Sequence, residues 1–385
     1  MRVVLVTGHA TGGVAGHVAG LADGLGEAGV EAAVATSGVT AARWRRLGLV
    51  AAAPVHELWP SPRHPVPALR RLRRLRALLL GADVVHAHGH QAGLLVALLL
   101  RGAPGSGRRG PALVVTWHNA VLGPDGVGRS LRGLAERVQA HRADLVTGAS
   151  GDLVARARAL GTRSPELTPV AVPDRASRGG HERGGPVPAP PPPALEDVPP
   201  GTAVVLTVSR LAEQKDLPTL VRAAARAGQA SAAPLLWCVV GDGDPDVERR
   251  VRRLVADLGA PVRLLGARDD VPALLARADV FALSSTWEAR SLAVQEAMAA
   301  GLPVVATRTG GLPDLLEGVG ALVPVGDDRA LAAAVARLVD DPGAREAAGR
   351  AAREAFAALP GPADVLRGWV DRYARLVRDR GPART

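Results

Sequence analysis

The sequence predicts an α/β protein made of two doubly wound units, and three observations carry that prediction. Short apolar runs alternate with amphipathic helical stretches along nearly the whole chain, the pattern of parallel strands joined by crossover helices. The alternation breaks once, in a proline- and glycine-rich stretch over 173–200, and then restarts. At 385 residues with 47% apolar composition, the chain exceeds one typical core and can fill two.

In the first half, strands are expected at 3–7, 32–36, 83–87, 112–117 and 144–148. A glycine-rich loop (Gly8, Gly12, Gly13, Gly16) follows the first strand and leads into a helix over about 14–28. Further helices are expected over 63–80, 90–101, 128–142 and 150–160, giving an N-terminal domain over 1–172. Residues 173–200, with prolines throughout 190–193, cannot build a core and read as a stiff linker. The second domain, 201–360, has strand patterns at 203–208, 235–240, 262–265, 280–284, 303–307 and 321–325. The last segment, 361–385, contains an amphipathic helix (Leu366, Trp369, Val370, Tyr373, Leu376) suited to packing back on the N-terminal domain. Doubly wound sheets bind ligands at the carboxyl ends of their strands, so two units facing a central cleft are expected to hold the site there.

Composition narrows the function. The chain has no isoleucine, one asparagine (Asn119) and one lysine (Lys215), amid abundant Ala, Arg, Gly, Val and Pro. That bias has the mark of GC-rich coding, so residues that survive it are informative. The single cysteine, Cys238, lies in an apolar run and reads as a small buried hydrophobe in a reducing cytoplasm. Apolar runs are too short for a signal-peptide core or a membrane span, so a soluble or peripheral cytoplasmic protein is expected. The net charge of +10 invites nucleic acid, but aromatic residues make up only 2%, and binders of single strands need stacking platforms. Much of the positive charge lies in 67–80, where Ala68, Leu72, Leu75 and Leu79 share one helical face and Arg70, Arg71, Arg73, Arg74 and Arg76 take the others. This is either an ordinary crossover helix with a solvated face or one that also meets an anionic membrane surface.

Lys215 follows a strand, in Val208-Ser209-Arg210-Leu211-Ala212-Glu213-Gln214-Lys215. A compact ammonium on a flexible stem fits a tight phosphate pocket that a planar guanidinium does not, although a solvated turn explains a lone lysine equally well. The richest stretch runs from Ser284 to Thr307 and contains Glu288 and Glu296 with seven residues between them. A helix beginning near Ser291 would aim free amides at the loop carrying Glu288, forming an anion site. Glu296, in its second turn, leans toward that end and can accept hydrogen bonds from vicinal hydroxyls.

Histidines are numerous on the first half: His9, His17, His56, His64, His86, His88, His90 and His118. The alternating His86, His88 and His90 have no accompanying Cys or Asp ligand set, so no metal site is expected. His118 follows the 112–117 strand and so stands at a carboxyl end, where it is either structural or orients a reacting group. His17 opens the following helix and either touches a substrate or caps the surface.

These motifs, in this order, closely resemble the retaining nucleotide-sugar glycosyltransferases of family 4, which have the GT-B fold. The resemblance covers nearly the whole chain. It rests on Gly12-Gly13-Val14-Ala15-Gly16-His17-Val18, Asp83-Val84-Val85-His86-Ala87-His88, Thr116-Trp117-His118, Arg210 with Lys215, Val239-Val240-Gly241-Asp242-Gly243, the two glutamates, and Gly301-Leu302-Pro303 with Gly310-Gly311. It implies that Arg210 and Lys215 hold the donor diphosphate and that Glu296 holds the ribose. It assigns the donor sugar and distal phosphate to Glu288 with the amides of Arg290, Ser291 and Leu292. It puts His118 near the reacting sugar, Gly12, Gly13 and Gly241 against the donor, His17 on the acceptor side, and the base near Leu265 and Gly266. It further implies front-face, metal-independent transfer from a uridine or guanosine diphosphate sugar, with no cofactor.

The acceptor expected beside the arginine-rich helix is a membrane-proximal lipid or glycan, with a soluble metabolite as alternative. An epimerase of the same fold and a non-enzymatic, membrane-associated binding protein are the rival functions. Two departures stand out. Relatives commonly carry Gly-Phe-Gly where this chain has Ala289-Arg290-Ser291, and the usual short hinge appears only as Pro173-Asp174-Arg175.

Overall fold

The computed structural model describes residues 1–10, 12–50, 52–60, 65–101, 110–120, 127–170 and 192–381. His64, the Pro173-Asp174-Arg175 hinge and the linker up to residue 191 lie outside them. The chain divides into two compact units, Met1–Pro173 with Pro360–Thr385, and Asp174–Leu359.

The first unit is an all-parallel sheet of β1 (Arg2–Thr7), β2 (Glu31–Ala35), β3 (Val55–His56), β4 (Val84–His88), β5 (Ala112–Trp117), β6 (Leu145–Gly148) and β7 (Glu166–Leu167). The strand order is 3-2-1-4-5-6-7, so the winding reverses between β1 and β4. β1, β4 and β5 are buried along almost their whole length, which is why they read as continuous apolar runs and not as alternations. Helices α1 (Gly12–Glu27), α2 (Gly38–Arg46), α3 (Pro65–Leu80), α4 (His90–Leu99), α5 (Val127–Arg142) and α6 (Gly151–Ala159) form the crossovers. The helix expected from residue 14 begins at Gly12, so Gly12, Gly13 and Gly16 belong to α1 and not to a loop. Gly12 has φ +58°, a conformation a side chain would disfavour. In α3, Leu75 and Leu79 are buried while Arg70, Arg71, Arg73 and Arg74 are exposed.

The second unit repeats the plan with β8 (Ala203–Val208), β9 (Leu235–Val240), β10 (Val262–Gly266), β11 (Val280–Leu283), β12 (Val304–Thr307) and β13 (Ala321–Val323). Its order, 10-9-8-11-12-13, again reverses beside the first strand. The helices here are α7 (Leu217–Ala230), α8 (Pro245–Leu258), α9 (Val271–Arg277), α10 (Leu292–Ala299), α11 (Leu312–Leu316), α12 (Asp328–Asp340) and α13 (Pro342–Ala357). Residues 192–200, read as linker, pack onto this unit: Leu195 is buried in its core, and Asp197 accepts two hydrogen bonds from Arg263. Cys238 is buried in the same core, and burial pushes its thiol up to about 11.

The last helix, α14 (Pro362–Asp379), belongs to the first unit. Val365, Trp369 and Tyr373 enter that unit's core, Leu366 lies against Gly24, and Arg372 and Arg375 both bind Glu166. No helix among the described residues is long and apolar enough to cross a membrane.

Candidate functional site

In the second unit the expected residues gather at the carboxyl ends of β8, β9 and β11, and glycines bring the loops together. A Cβ on Gly241 would lie 2.0 Å from the Ser209 carbonyl oxygen, and one on Gly243 2.2 Å from that of Leu211. Only glycine allows that approach, which seats the β9 exit against the segment carrying Arg210. Arg210 itself is exposed and has no partner among the described residues.

Lys215 ends a short 3₁₀ turn, Glu213–Lys215, and Asp216 then adopts φ +43° while capping α7. Ser284 donates to the Lys215 carbonyl at 2.8 Å, and the Thr286 amide donates to the Gln214 carbonyl at 2.8 Å. These bonds fasten the lysine turn to the loop after β11. As a result the Lys215 ammonium meets the Glu288 carboxylate, whose same oxygen accepts from the Ser285 hydroxyl at 2.7 Å. Both charged side chains are largely buried, at 14% and 10% exposure. The Glu288 carbonyl accepts from the Gly311 amide at 2.8 Å, and a Cβ on Gly310 would stand 1.8 Å from that oxygen. The Gly310-Gly311 pair therefore clamps the glutamate loop.

Ser291 caps α10, accepting from the Val294 amide at 3.4 Å. Leu292 is the first residue of the helix and Glu296 lies in its second turn, as the spacing predicts. Burial pushes the Glu296 carboxyl up to about 7. Burial also pulls the Arg290 guanidinium below its ordinary range, opposed by the charge of Asp314, and its Nε is buried without a hydrogen bond. The unit thus brings Arg210, Lys215 and Arg290, a helix N-terminus and a desolvated carboxylate to one end of one sheet. Leu265 and Gly266 close β10 on the same side, where the Gly241 amide donates to the Gly266 carbonyl at 2.8 Å.

The first unit holds the other set. Gly12 and Gly13 open α1 and are exposed, and His17 lies one turn further on. His118, just past β5, is buried at 5% exposure. Its Nε2 stands 3.1 Å from Nδ1 of His88 at the end of β4. The His17 ring lies 5.7 Å from that of His88 and 5.6 Å from that of His118. Behind them, His86 contacts Tyr373 Oη through Nδ1 and Thr116 Oγ1 through Nε2, each at 2.6 Å. Burial lowers His17 to about 4 and His118 to about 3, and holds His86 and His88 well below the ordinary range. All four rings are therefore neutral at pH 7.

Three contacts that matter to this geometry were not expected from sequence: Ser285 on Glu288, His88 as the partner of His118, and Tyr373 on His86. The His-x-His spacing at the end of β4 was the one available signal, because residues two apart on a strand share a face.

Both halves match known families. Residues 202–341 match the family described as Glycosyl transferases group 1, and residues 12–173 match the Glycosyl transferase 4-like domain. The lipopolysaccharide core biosynthesis glycosyltransferase LpsE of Rhizobium meliloti (strain 1021) is 35% identical over 150 residues, 38% of this chain and 42% of that protein. The amylovoran biosynthesis glycosyltransferase AmsK of Erwinia amylovora is 34% identical over 144 residues, 35% of each. The chain thus spans less than half the length of these curated relatives in the matched regions. Among solved structures, Anabaena HepE in complex with UDP-glucose superposes with a TM-score of 0.77 over 97% of this chain and 100% of that one, at 19% identity, a likeness of fold. With one family model on each doubly wound unit and a solved GT-B protein of like fold, the chain belongs to the GT-B glycosyltransferases of the family 4 type.

Proposed function

We propose that the protein is a retaining glycosyltransferase that takes a nucleoside-diphosphate sugar, with uridine or guanosine as the base, and needs no metal at the diphosphate. The observation that carries this reading is the only lysine of the chain held on Glu288 beside the N-terminus of α10. A flexible ammonium in that position can turn to a phosphate, with exposed Arg210 as the second cation. As the bond from the anomeric carbon to phosphate breaks, charge grows on the leaving diphosphate. Fixed cations and helix amides stabilise that charge without reorganising. The acceptor oxygen bonds to the anomeric carbon on the face the phosphate leaves, and its proton passes to the departing phosphate oxygen.

In this reading Glu296 takes the ribose hydroxyls, and Glu288 with the amides of Arg290 to Leu292 takes the sugar. Arg290, in place of the usual apolar residue, adjusts which sugar is accepted. The acceptor falls to the first unit, with His118 orienting the reacting groups and His17 touching the acceptor. The exposed arginines of α3 favour a membrane-proximal lipid or glycan acceptor on a peripheral, cytoplasmic protein. The names of LpsE, in lipopolysaccharide core biosynthesis, and AmsK, in amylovoran biosynthesis, support a glycan-building role.

Calorimetry with UDP-, GDP-, ADP- and dTDP-sugars tests the donor assignment on wild type, Lys215→Ala and Glu296→Ala. One base should bind, and each variant should weaken it about 10- to 100-fold, the worth of a charge-assisted hydrogen bond. Lys215→Ala leaves Glu288 without its counter-charge, so melting curves of each variant accompany the titrations. A folded wild type that binds none of the four sinks the proposal in favour of a non-enzymatic protein. Conversion of the donor without an acceptor would mark an epimerase.

A further inference from the structure

His17, His88 and His118 reach one point from three elements of the first unit: α1, the end of β4 and the turn after β5. One ring nitrogen from each lies within 4.8 Å of the other two. Ligand nitrogens about 2.0–2.1 Å from a tetrahedral ion stand roughly 3.3–3.4 Å apart. The pair His88 Nδ1 and His118 Nε2, at 3.1 Å, already has about that separation. Drawing in His17 takes a side-chain shift on the order of 1 Å.

A hydrogen bond accounts for the His88–His118 contact but not for the third ring. The three imidazoles face one another, and Nε2 of His88 is buried without a hydrogen bond. The proposed ligand atom of His88 is Nδ1, which faces Nε2 of His118 with the His17 ring beside both; Nε2 is the ring's other nitrogen and is not counted toward the site. The cluster also has a rigid back wall: His86 lies 3.9 Å from His88 ring to ring and is pinned by Tyr373 and Thr116. His90 turns away, its Nε2 held at 2.7 Å by the Asn119 carbonyl.

We propose that His17, His88 and His118 form a binding site for a borderline divalent cation of the Zn²⁺ class, with three nitrogen ligands and one position open. With no carboxylate in the trio, hard oxygen-seeking cations such as Mg²⁺ or Ca²⁺ are disfavoured. The trio lies in the first unit, apart from the donor residues proposed above in the second. If His118 orients the reacting groups as proposed above, occupancy withdraws its Nε2 and inhibits transfer. That consequence rests on the transferase reading, whereas binding itself does not.

The test is titration of the untagged, chelator-stripped full chain with Co²⁺, followed by visible absorption. One equivalent should give the intense bands of a low-symmetry, four-coordinate ion, and Zn²⁺ should bleach them. His17→Gln, on a partly buried helix position, should weaken binding by at least about tenfold, with circular dichroism and melting unchanged. His141→Gln, exposed on α5, should bind as wild type. A weak octahedral spectrum, or equal affinity in wild type and His17→Gln, overturns the site. Should His17→Gln misfold, X-ray absorption of the zinc-loaded wild type decides: three imidazole ligands sustain the proposal, and one or none refutes it.

Discussion

Glu296 shows how a side chain proposed to hold the ribose carries a stability cost. Burial raises its carboxyl from the ordinary 4.5 to about 7, so the folded protein holds a proton that the unfolded chain releases between those values. Stability contributed by the protonated form is present below about 4.5 and lost as pH rises through 7. Glu296→Gln is expected to melt about 2–5 °C above wild type at pH 8, with the gap closing by pH 4.5. The same variant should bind sugar nucleotide more weakly, since an amide accepts fewer hydrogen bonds from vicinal hydroxyls than a carboxylate. A melting gap independent of pH would show that the desolvated charge is not the cause. Glu288 and Lys215 illustrate a different limit. Each is conspicuous in the sequence, yet 73 residues separate the partners, and only the fastening of the lysine turn to the β11 loop reveals that they pair.

At the scale of elements, α3 combines a buried Leu75–Leu79 stripe with four exposed arginines. The fifth arginine, Arg76, is partly buried and donates to the Leu99 carbonyl at 3.2 Å, and Arg71, one of the exposed four, donates to that of Trp59 at 3.4 Å. Neutralising Arg70, Arg73 and Arg74 to Gln leaves those bonds in place and removes only the outward charge. The partition constant onto vesicles containing anionic lipid, measured by sedimentation, should then fall on the order of 100-fold, since each basic residue near such a surface is worth about 1 kcal/mol. Unchanged sedimentation would reduce α3 to a crossover helix with a solvated face. The long strands and helices were legible because buried parallel strands leave continuous apolar runs. β3 and β7, two residues each, were not, for their pairing is supplied by a neighbouring strand and not by their own pattern. The start of α1 at Gly12 was likewise hidden, since glycine propensity argues for a loop.

For the molecule as a whole, the chain returns after the second unit to complete the core of the first. Trp369 and Tyr373 are fully buried there, and Tyr373 reaches His86, 287 positions earlier. Tyr373→Phe keeps the packing and leaves a buried ring nitrogen without its partner, at a cost of about 1–3 kcal/mol. Scanning calorimetry should show a lower transition for the first unit, with that of the second unmoved. If both transitions move equally, the two units unfold as one.

The sequence by itself determined the two doubly wound units, the break between them, and the glutamate pair set around the start of α10, because strand runs, helix periodicity and capping are local. Only the tertiary structure decided which side chains meet. The Lys215–Glu288 pair, the gathering of His17 with His88 and His118, and the closing of the first core by Tyr373 all join segments far apart in the chain. Such contacts depend on strand order and on glycine-permitted approaches of loops, which no local pattern encodes.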